Sequence, residues 1–461
     1  MWLCLQGLSN REEVWILIKD LTKGNETKAI ISFAIPMIIG NLFQQLYNIA
    51  DTIIVGQFIG SSALAAVGSS YTLMVFLTSI ILGLCMGSGV LFSMFYGAGK
   101  THELKSSIFT SLWFIGLITL LINTFSLIFI DEILGFMKVP FEILDNTKEY
   151  VQIIFYGIGF TFFYNHFTAV LRSVGNSVTP LIFLIIAAII NIVLDIVFIV
   201  PLDMGVAGAA WATIIAQGFS AVSIAVYSFI KIPDIRPERK HLTFDSDIVR
   251  QIANYSILTS LQQSIMNFGI LMVQGLVNSF GVSVMAAFAA GVKLDSFAYM
   301  PVQDFGNAFS TFIAQNKGAN ELERIRKGIK SAAKIITIFC LAISALVVIF
   351  AKPLLGIFIR AEEVEIIRIG TQYLYIEASF YCLIGYLFMF YGLYRGFGNV
   401  GMSIILTIIS LGFRVVLAYS FSSIPSIGVA GIWWAIPIGW ALADIVGYYK
   451  LKDIDSANLI H

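Results

Sequence analysis

Apolar side chains in this chain of 461 residues run in long blocks instead of alternating with polar ones. The blocks fall at about 30–55, 63–94, 106–130, 150–171, 178–201 and 206–230, then at about 250–280, 284–314, 331–351, 369–393, 400–420 and 428–449. A helix needs about 20 apolar residues to cross the hydrocarbon core of a bilayer, so each block predicts one membrane-spanning helix. Lipid offers no partner to backbone N–H and C=O groups, and a helix satisfies them internally. The most polar connection, Lys231 to Arg250 with Pro233 and Pro237, divides the twelve blocks into two groups of six. The expected organisation is a cytoplasmic lead-in (1–28), an N-lobe (29–230), a cytoplasmic linker (231–249), a C-lobe (250–450) and a cytoplasmic tail (451–461).

Lysine and arginine placement sets the orientation, because cytoplasmic loops are enriched in both. With the N-terminus inside, the inside segments hold 20 of these residues and the outside segments five: Lys138, Lys148, Lys352, Arg360 and Arg368. Both termini are therefore expected in the cytoplasm, and the plasma membrane of a prokaryote is the expected location.

Composition removes several function classes. The chain is 58% hydrophobic and 12% charged, with mean hydropathy +0.87, whereas a soluble domain carries about 25% charged residues. Net charge is zero, so no nucleic-acid partner is expected. Cys4, Cys85, Cys340 and Cys382 are scattered without metal or redox spacing and read as small packing residues. The sequence has no HExxH, GxxxxGK[ST] or GxSxG motif, which argues against an enzyme or an ATP-driven pump. The N-terminus lacks a positive start and is interrupted by Glu12, Glu13 and Asp20, so it reads as an amphipathic lead-in instead of a signal peptide. The residues before Lys19 are open to reading as an upstream extension of the natural start.

The two halves repeat each other. Gly60 falls on Gly281, and Ala66 on Ala287. Tyr96-Gly-Ala-Gly99 matches the segment around Gly318, at the same offset of 221. Leu171-Arg-Ser-Val-Gly-Asn176 matches Tyr394-Arg-Gly-Phe-Gly-Asn399, and Gly205-Val-Ala-Gly208 matches Gly428-Val-Ala-Gly431, both at 223. An even number of spans per repeat gives both halves one orientation, with an axis along the membrane normal and a central cavity between pseudo-symmetric six-helix lobes. The fold class is thus all-α, polytopic, with twelve transmembrane helices.

One carboxylate breaks the apolar pattern of the first span. A charge at membrane depth costs from a few to more than ten kcal/mol, and usually marks an ion or substrate path. Asp51 shares a helix face with Tyr47 and Gln44, four and seven residues back. Pro36 removes one backbone bond from the same helix and marks a hinge.

The segment Gln44-Gln-Leu-Tyr-Asn-Ile-Ala-Asp-Thr-Ile-Ile-Val-Gly56, the loop at Tyr96–Gly99, Leu171–Asn176, Asn191-Ile-Val-Leu-Asp195 and the two Gly-Val-Ala-Gly copies together resemble the multidrug and toxic compound extrusion (MATE) family, DinF-like branch. The likeness spans about Lys19 to Lys450. It implies a cation site in the N-lobe formed by Asp51, Tyr47, Asn165, Asn191, Asp195 and Thr213. The other branch adds acids on the seventh and tenth helices. Here the seventh has Gln262 and Gln263, and the tenth only Glu377. The repeat agrees independently: Asp51 falls on Met272, Asp195 on Ala418 and Asn191 on Arg414, so only one lobe carries the acid pair.

Asn191 and Asp195 are four apart and point to one side of their helix. Two carboxylates and an amide oxygen suit Na⁺, with Asp51, Asp195 and Asn191 as its ligands. Two close carboxylates at low dielectric also suit H⁺, since they share a proton instead of both staying ionised. No cofactor is expected beyond this coupling ion. His166 reads as an interhelical packing histidine in preference to a proton relay. Lys293, Asp295 and Asp304 read as packing or cavity lining, paired with one another or with Arg414, while Glu377 and Asp444 are weaker candidates. Gln44, Phe160, Phe163, Met266, Met272, Phe288 and Met300 are the candidate substrate walls, because aromatic and methionine surfaces accommodate varied ligands. The expected function is a monomeric secondary exporter of organic substrates, cationic or amphipathic, embedded in membrane lipid and coupled to Na⁺ or H⁺. A lipid-linked oligosaccharide flippase and a channel or non-transporting receptor are the alternatives.

Overall fold

The computed structural model describes residues 18–137, 139–241 and 245–458. Most of the expected lead-in, Cys4, Lys138 and the end of the tail lie outside these residues. The first half of the chain forms α1 (Glu26–Phe58), α2 (Ser61–Gly97), α3 (Thr101–Ile128), the short α4 (Ile130–Phe136), α5 (Phe141–Tyr156), α6 (Ile158–Ser173), α7 (Val178–Ile199) and α8 (Gly205–Lys231). The second half forms α9 (Ser246–Asn278), α10 (Val282–Gly318), α11 (Leu322–Leu355), α12 (Val364–Ser379), α13 (Tyr381–Gly396), α14 (Val400–Ser422) and α15 (Ala430–Asn458). Ten of these helices are long and apolar enough to cross a membrane. The pairs α5–α6 and α12–α13, bent by 46° and 51°, make two more spans.

The fourth and tenth spans begin well before the apolar blocks that predict them. Their N-terminal ends carry charged residues that the blocks exclude, and three of those charges are paired. Lys148 Nζ reaches Asp131 Oδ1 at 2.6 Å, and Arg368 bonds Glu365 at 2.7 Å. Gly157 lies at the first bend, where an added Cβ would stand 2.6 Å from Ile214 Cγ1 on α8. The missing side chain is what lets the bent span close against α8.

The repeat is written into the backbone. Positive φ recurs at the same offsets: Gly60 (114°) with Gly281 (94°), Gly99 (67°) with Asn320 (60°), Gly175 (86°) with Gly398 (78°), and Gly205 (57°) with Gly428 (54°). Asn320 is the one member of these pairs that is not glycine, and asparagine tolerates the left-handed region best among the remaining residues. The asparagine one residue after two of these glycines accepts a bond from the first turn of the next helix in both halves. Asn176 Oδ1 accepts from Thr179 N at 3.0 Å, and Asn399 Oδ1 from Met402 N at 3.3 Å.

The chain divides into two compact units, one made of residues up to Leu21 with Ile35–Ser260, the other of Thr22–Ala34 with residues from Leu261 onward. The boundaries therefore run through α1 and α9 and not through the expected linker at 231–249. Side-chain size explains the second boundary. Within the first unit, a Cβ at Gly83 would stand 2.5 Å from Ser260 Cα, and one at Gly87 would stand 2.3 Å from Tyr255 O. Those glycines let the start of α9 lie directly on α2, and Ser260 Oγ donates to Ile80 O at 3.1 Å. In the second unit, Thr27 on α1 bonds Ser331 at 2.9 Å, and the buried Arg324 donates to the carbonyls of Lys23 and Gly24. Pro36 interrupts neither the helical path of α1 nor its span, and lies just after the Ala34–Ile35 boundary.

Candidate functional site

The first unit packs one apolar cluster across five helices: Ile54 and Val55 of α1, Ala63 of α2, Tyr150, Ile153 and Ile154 of α5, Ile199 of α7, and Ala209, Ala210 and Ile214 of α8. Val55 is one turn beyond Asp51, and Ile199 one turn beyond Asp195, so the faces that bury the cluster also carry the two acids. Lower on the same helices, Gly40 brings α1 within ordinary contact of Leu181 and Leu184 on α7, both 3.6 Å from an added Cβ. These contacts bring α1 and α7 together at two levels.

The result is that the Asp51 and Asp195 carboxyl groups lie within hydrogen-bonding reach of each other. Asp195 is fully buried and Asp51 half-buried. Asp51 Oδ1, both Asp195 oxygens and Asn191 Oδ1 are buried without a hydrogen-bond donor among the described residues. Asn191 Nδ2 donates to Thr213 Oγ1 on α8 at 3.4 Å, which aims the amide oxygen away from that bond. Tyr47 bonds Gln44 and stands within electrostatic range of Asp51. Asn165 donates its Nδ2 to the Thr161 carbonyl at 2.8 Å on its own helix, a bond that does not involve the acid pair.

Burying unpaired carboxylate and amide oxygens is costly unless something compensates them. Among the described residues no three His, Cys, Asp or Glu side chains cluster as metal ligands. Two carboxylates with amide and hydroxyl oxygens suit a proton or an alkali cation better than a transition metal.

The sequence reading missed Tyr150. It is buried on α5, within electrostatic range of Asp51, Asp195 and Tyr47. The repeat held the signal, because the offset of 223 places Tyr150 on Tyr373, and Tyr373 also bonds an acid.

The MatE family profile matches residues 36–197 and 256–420, covering both halves of the chain. The chain belongs to the MatE family. It is 31% identical to "Probable multidrug resistance protein YpnP" of Bacillus subtilis (strain 168), over 94% of this chain and 96% of that protein. It is 27% identical to "Probable multidrug resistance protein YoeA" of the same organism, with the same coverage. A solved MOP superfamily transporter from Pyrococcus furiosus, whose binding pocket is described as having reverse polarity, superposes with TM-score 0.89 at 26% identity, covering 95% of this chain and 97% of that one. Membership in MatE makes the chain a multi-pass transporter-family protein and not an enzyme.

In this MatE chain the second unit has a polar cluster of its own. Asp295 on α10 accepts from the hydroxyls of Tyr373 on α12 and Tyr381 on α13. Glu377 is buried, and Arg414 on α14 lies within electrostatic range of both acids. Lys293 takes no part. It is exposed, with its Nζ 5.7 Å over the Phe358 ring.

Comparing equivalent positions sharpens the asymmetry. Asp51 corresponds to Met272, and Met74, which packs against the first-unit cluster, corresponds to Asp295. Acid and methionine have exchanged places between the lobes, while the tyrosine is kept. At the Asn191 position the second lobe holds Arg414, a built-in cation beside its acids. The first lobe's acids have an amide there instead.

One reading of a single residue changes. Phe288 is buried and stacks on Trp433 at 5.4 Å with an 8° tilt, so it is a core residue and not an open wall. His166 packs among the rings of Phe92, Phe162 and Phe167, in keeping with a packing role, and neither of its nitrogens has a hydrogen-bond partner among the described residues. Gln44, Phe160, Phe163 and Met272 are exposed, while Met266 and Met300 are half-buried.

Proposed function

We propose that this chain is a secondary active exporter. Na⁺ or H⁺ entering from outside binds at Asp51 and Asp195, and an organic substrate, cationic or amphipathic, leaves in exchange by alternating access. The observation that carries this reading is the set of donor-less buried oxygens from Asp51, Asp195 and Asn191 gathered on two packed helices. Asn191, Thr213, Tyr47 and Tyr150 complete the polar lining, and Asn165 is kept as a further candidate. Binding a cation there cancels charge on α1, whose first turns belong to the second unit, and a charge change on such a helix biases two conformations. Pro36 is the proposed hinge. Gln44, Phe160, Phe163, Met266, Met272 and Met300 are the proposed substrate contacts.

The protein is proposed to act as a monomer in a bacterial plasma membrane, with both termini in the cytoplasm. A flippase for a lipid-linked oligosaccharide needs free cations for phosphate. The interior cation Arg414 sits beside Asp295 and Glu377, which disfavours that reading. The test is substrate efflux from proteoliposomes under an imposed Na⁺ or H⁺ gradient. Uphill efflux driven by one gradient supports an antiporter. Downhill flux alone, or none, indicates a channel or receptor and overturns the proposal.

A further inference from the structure

Two of the chain's cysteines meet inside the second unit. Cys340 lies on α11 and is buried, and Cys382 lies in the first turn of α13 and is half-buried. Neither is in a disulfide. The register of the two helices is fixed by neighbouring contacts. Thr337 Oγ1 and Tyr386 OH are 2.6 Å apart, and a Cβ at Gly385 would stand 2.6 Å from Ile336 Cγ2 and 2.8 Å from Cys340 Sγ. Residue numbers rise on one helix as they fall on the other, so α11 and α13 run antiparallel here. The absent side chain at Gly385 draws their backbones together one turn from Cys382. In this register Cys340 and Cys382 face each other between the two helices.

A packing role alone would be met by alanine or valine at either place. Two thiols that face each other between closely packed antiparallel helices have the proximity from which a disulfide can form. Cys382 is also two residues beyond Phe380, where the tenth span bends by 51°. We propose that Cys340 and Cys382 form a dithiol that closes to a disulfide under oxidation and pins α13 to α11 beside that bend. The two S–H bonds break and one S–S bond forms. The pair gives up two electrons and two protons, which an azo oxidant such as diamide takes up across its N=N bond to become a hydrazine. The proposal goes beyond the transport reading and does not depend on it.

The experiment treats the full-length protein in membranes with diamide, then denatures it and counts free thiols by maleimide-polyethylene glycol gel shift. The wild type is expected to lose two of its four reactive thiols and regain them with dithiothreitol. Cys340→Ala and Cys382→Ala are each expected to keep all three remaining thiols. The double variant Cys4→Ala/Cys85→Ala is expected to lose both of its own. Mass spectrometry of the oxidised wild type, which needs no variant, should find the peptide linked through residues 340 and 382. Retention of all four thiols, thiol loss in Cys340→Ala, or a link between other cysteines would overturn the proposal.

Discussion

Asp51 on α1 and Asp195 on α7 bring their carboxyl groups within hydrogen-bonding reach across two helices that lie side by side. The equivalent pair in the second unit is Met272 and Ala418, so the contact belongs to one lobe only. The second lobe's Asp295 instead shares its surroundings with Arg414. The proposed cation site lies in the lobe whose buried acids come without that arginine.

The Asn191–Thr213 hydrogen bond, 3.4 Å long, holds the amide whose oxygen is a proposed ligand of the ion. A net hydrogen bond contributes about 0.5–1.5 kcal/mol, and each 1.4 kcal/mol is about tenfold in affinity. Thr213→Val should raise the half-saturating ion concentration for efflux by about two- to tenfold, with the maximal rate little changed. An unchanged ion dependence would remove Thr213 from the site.

Tyr150 is an apolar-cluster member with a hydroxyl near the acids. Tyr150→Phe conserves shape and should cost less than about 1.5 kcal/mol of stability. Its effect should appear in the ion-concentration or pH profile of transport. A variant that melts earlier but keeps the wild-type profile would make Tyr150 a packing residue only.

The twelve spans, the repeat and the acid pair were readable from the sequence because each leaves a local mark. Apolar blocks of span length, recurring glycines and a carboxylate in an apolar run are visible one residue at a time. The contact between α1 and α7 was not readable. It is a match between distant positions, such as Gly40 with Leu181 and Leu184. Tyr150 was missed for a related reason, because a tyrosine in an amphipathic stretch with Lys148 and Glu149 looks like an interfacial residue. The unit boundary in α9 follows from the glycine-mediated approach of α9 to α2, which hydropathy cannot report.

Two glycines on α2 give opposite expectations. An alanine at Gly87 would put its Cβ 2.3 Å from Tyr255 O, a backbone atom that cannot rotate away. Gly87→Ala should destabilise by about 1–3 kcal/mol, as overpacking does. Gly68 meets nothing within 4 Å, so Gly68→Ala should stabilise by up to about 1 kcal/mol through helix propensity. Thermal unfolding in detergent separates them, and equal shifts would contradict the close packing of α9 on α2.

The polar linker carries a pH-sensitive contact outside the spans. His241 is buried, and its Nδ1 accepts from Glu238 N at 2.9 Å. Burial lowers its pKa below the usual value, opposed by Glu238 and assisted by His102, Lys240 and Lys105. The unfolded linker therefore binds a proton first. The contact's stabilisation is complete above about pH 6.5 and declines as pH falls toward the depressed value. Hydrogen exchange should show the Glu238 amide protected at about pH 7.5 and exposed at about pH 5.5, beyond the intrinsic rate change. His241→Asn, which keeps an acceptor that does not titrate, should abolish the difference. Protection that is equal at both values in the wild type would contradict the contact's role.

The central claim is that the Asp51–Asp195 pair couples the ion to the substrate. Its most direct test is gradient-driven efflux from proteoliposomes containing Asp51→Asn or Asp195→Asn, at matched protein content and with insertion verified. The account predicts that both variants fold and insert, still bind substrate, and lose gradient-driven efflux to the level of empty vesicles. Efflux at the wild-type rate from either variant would contradict it.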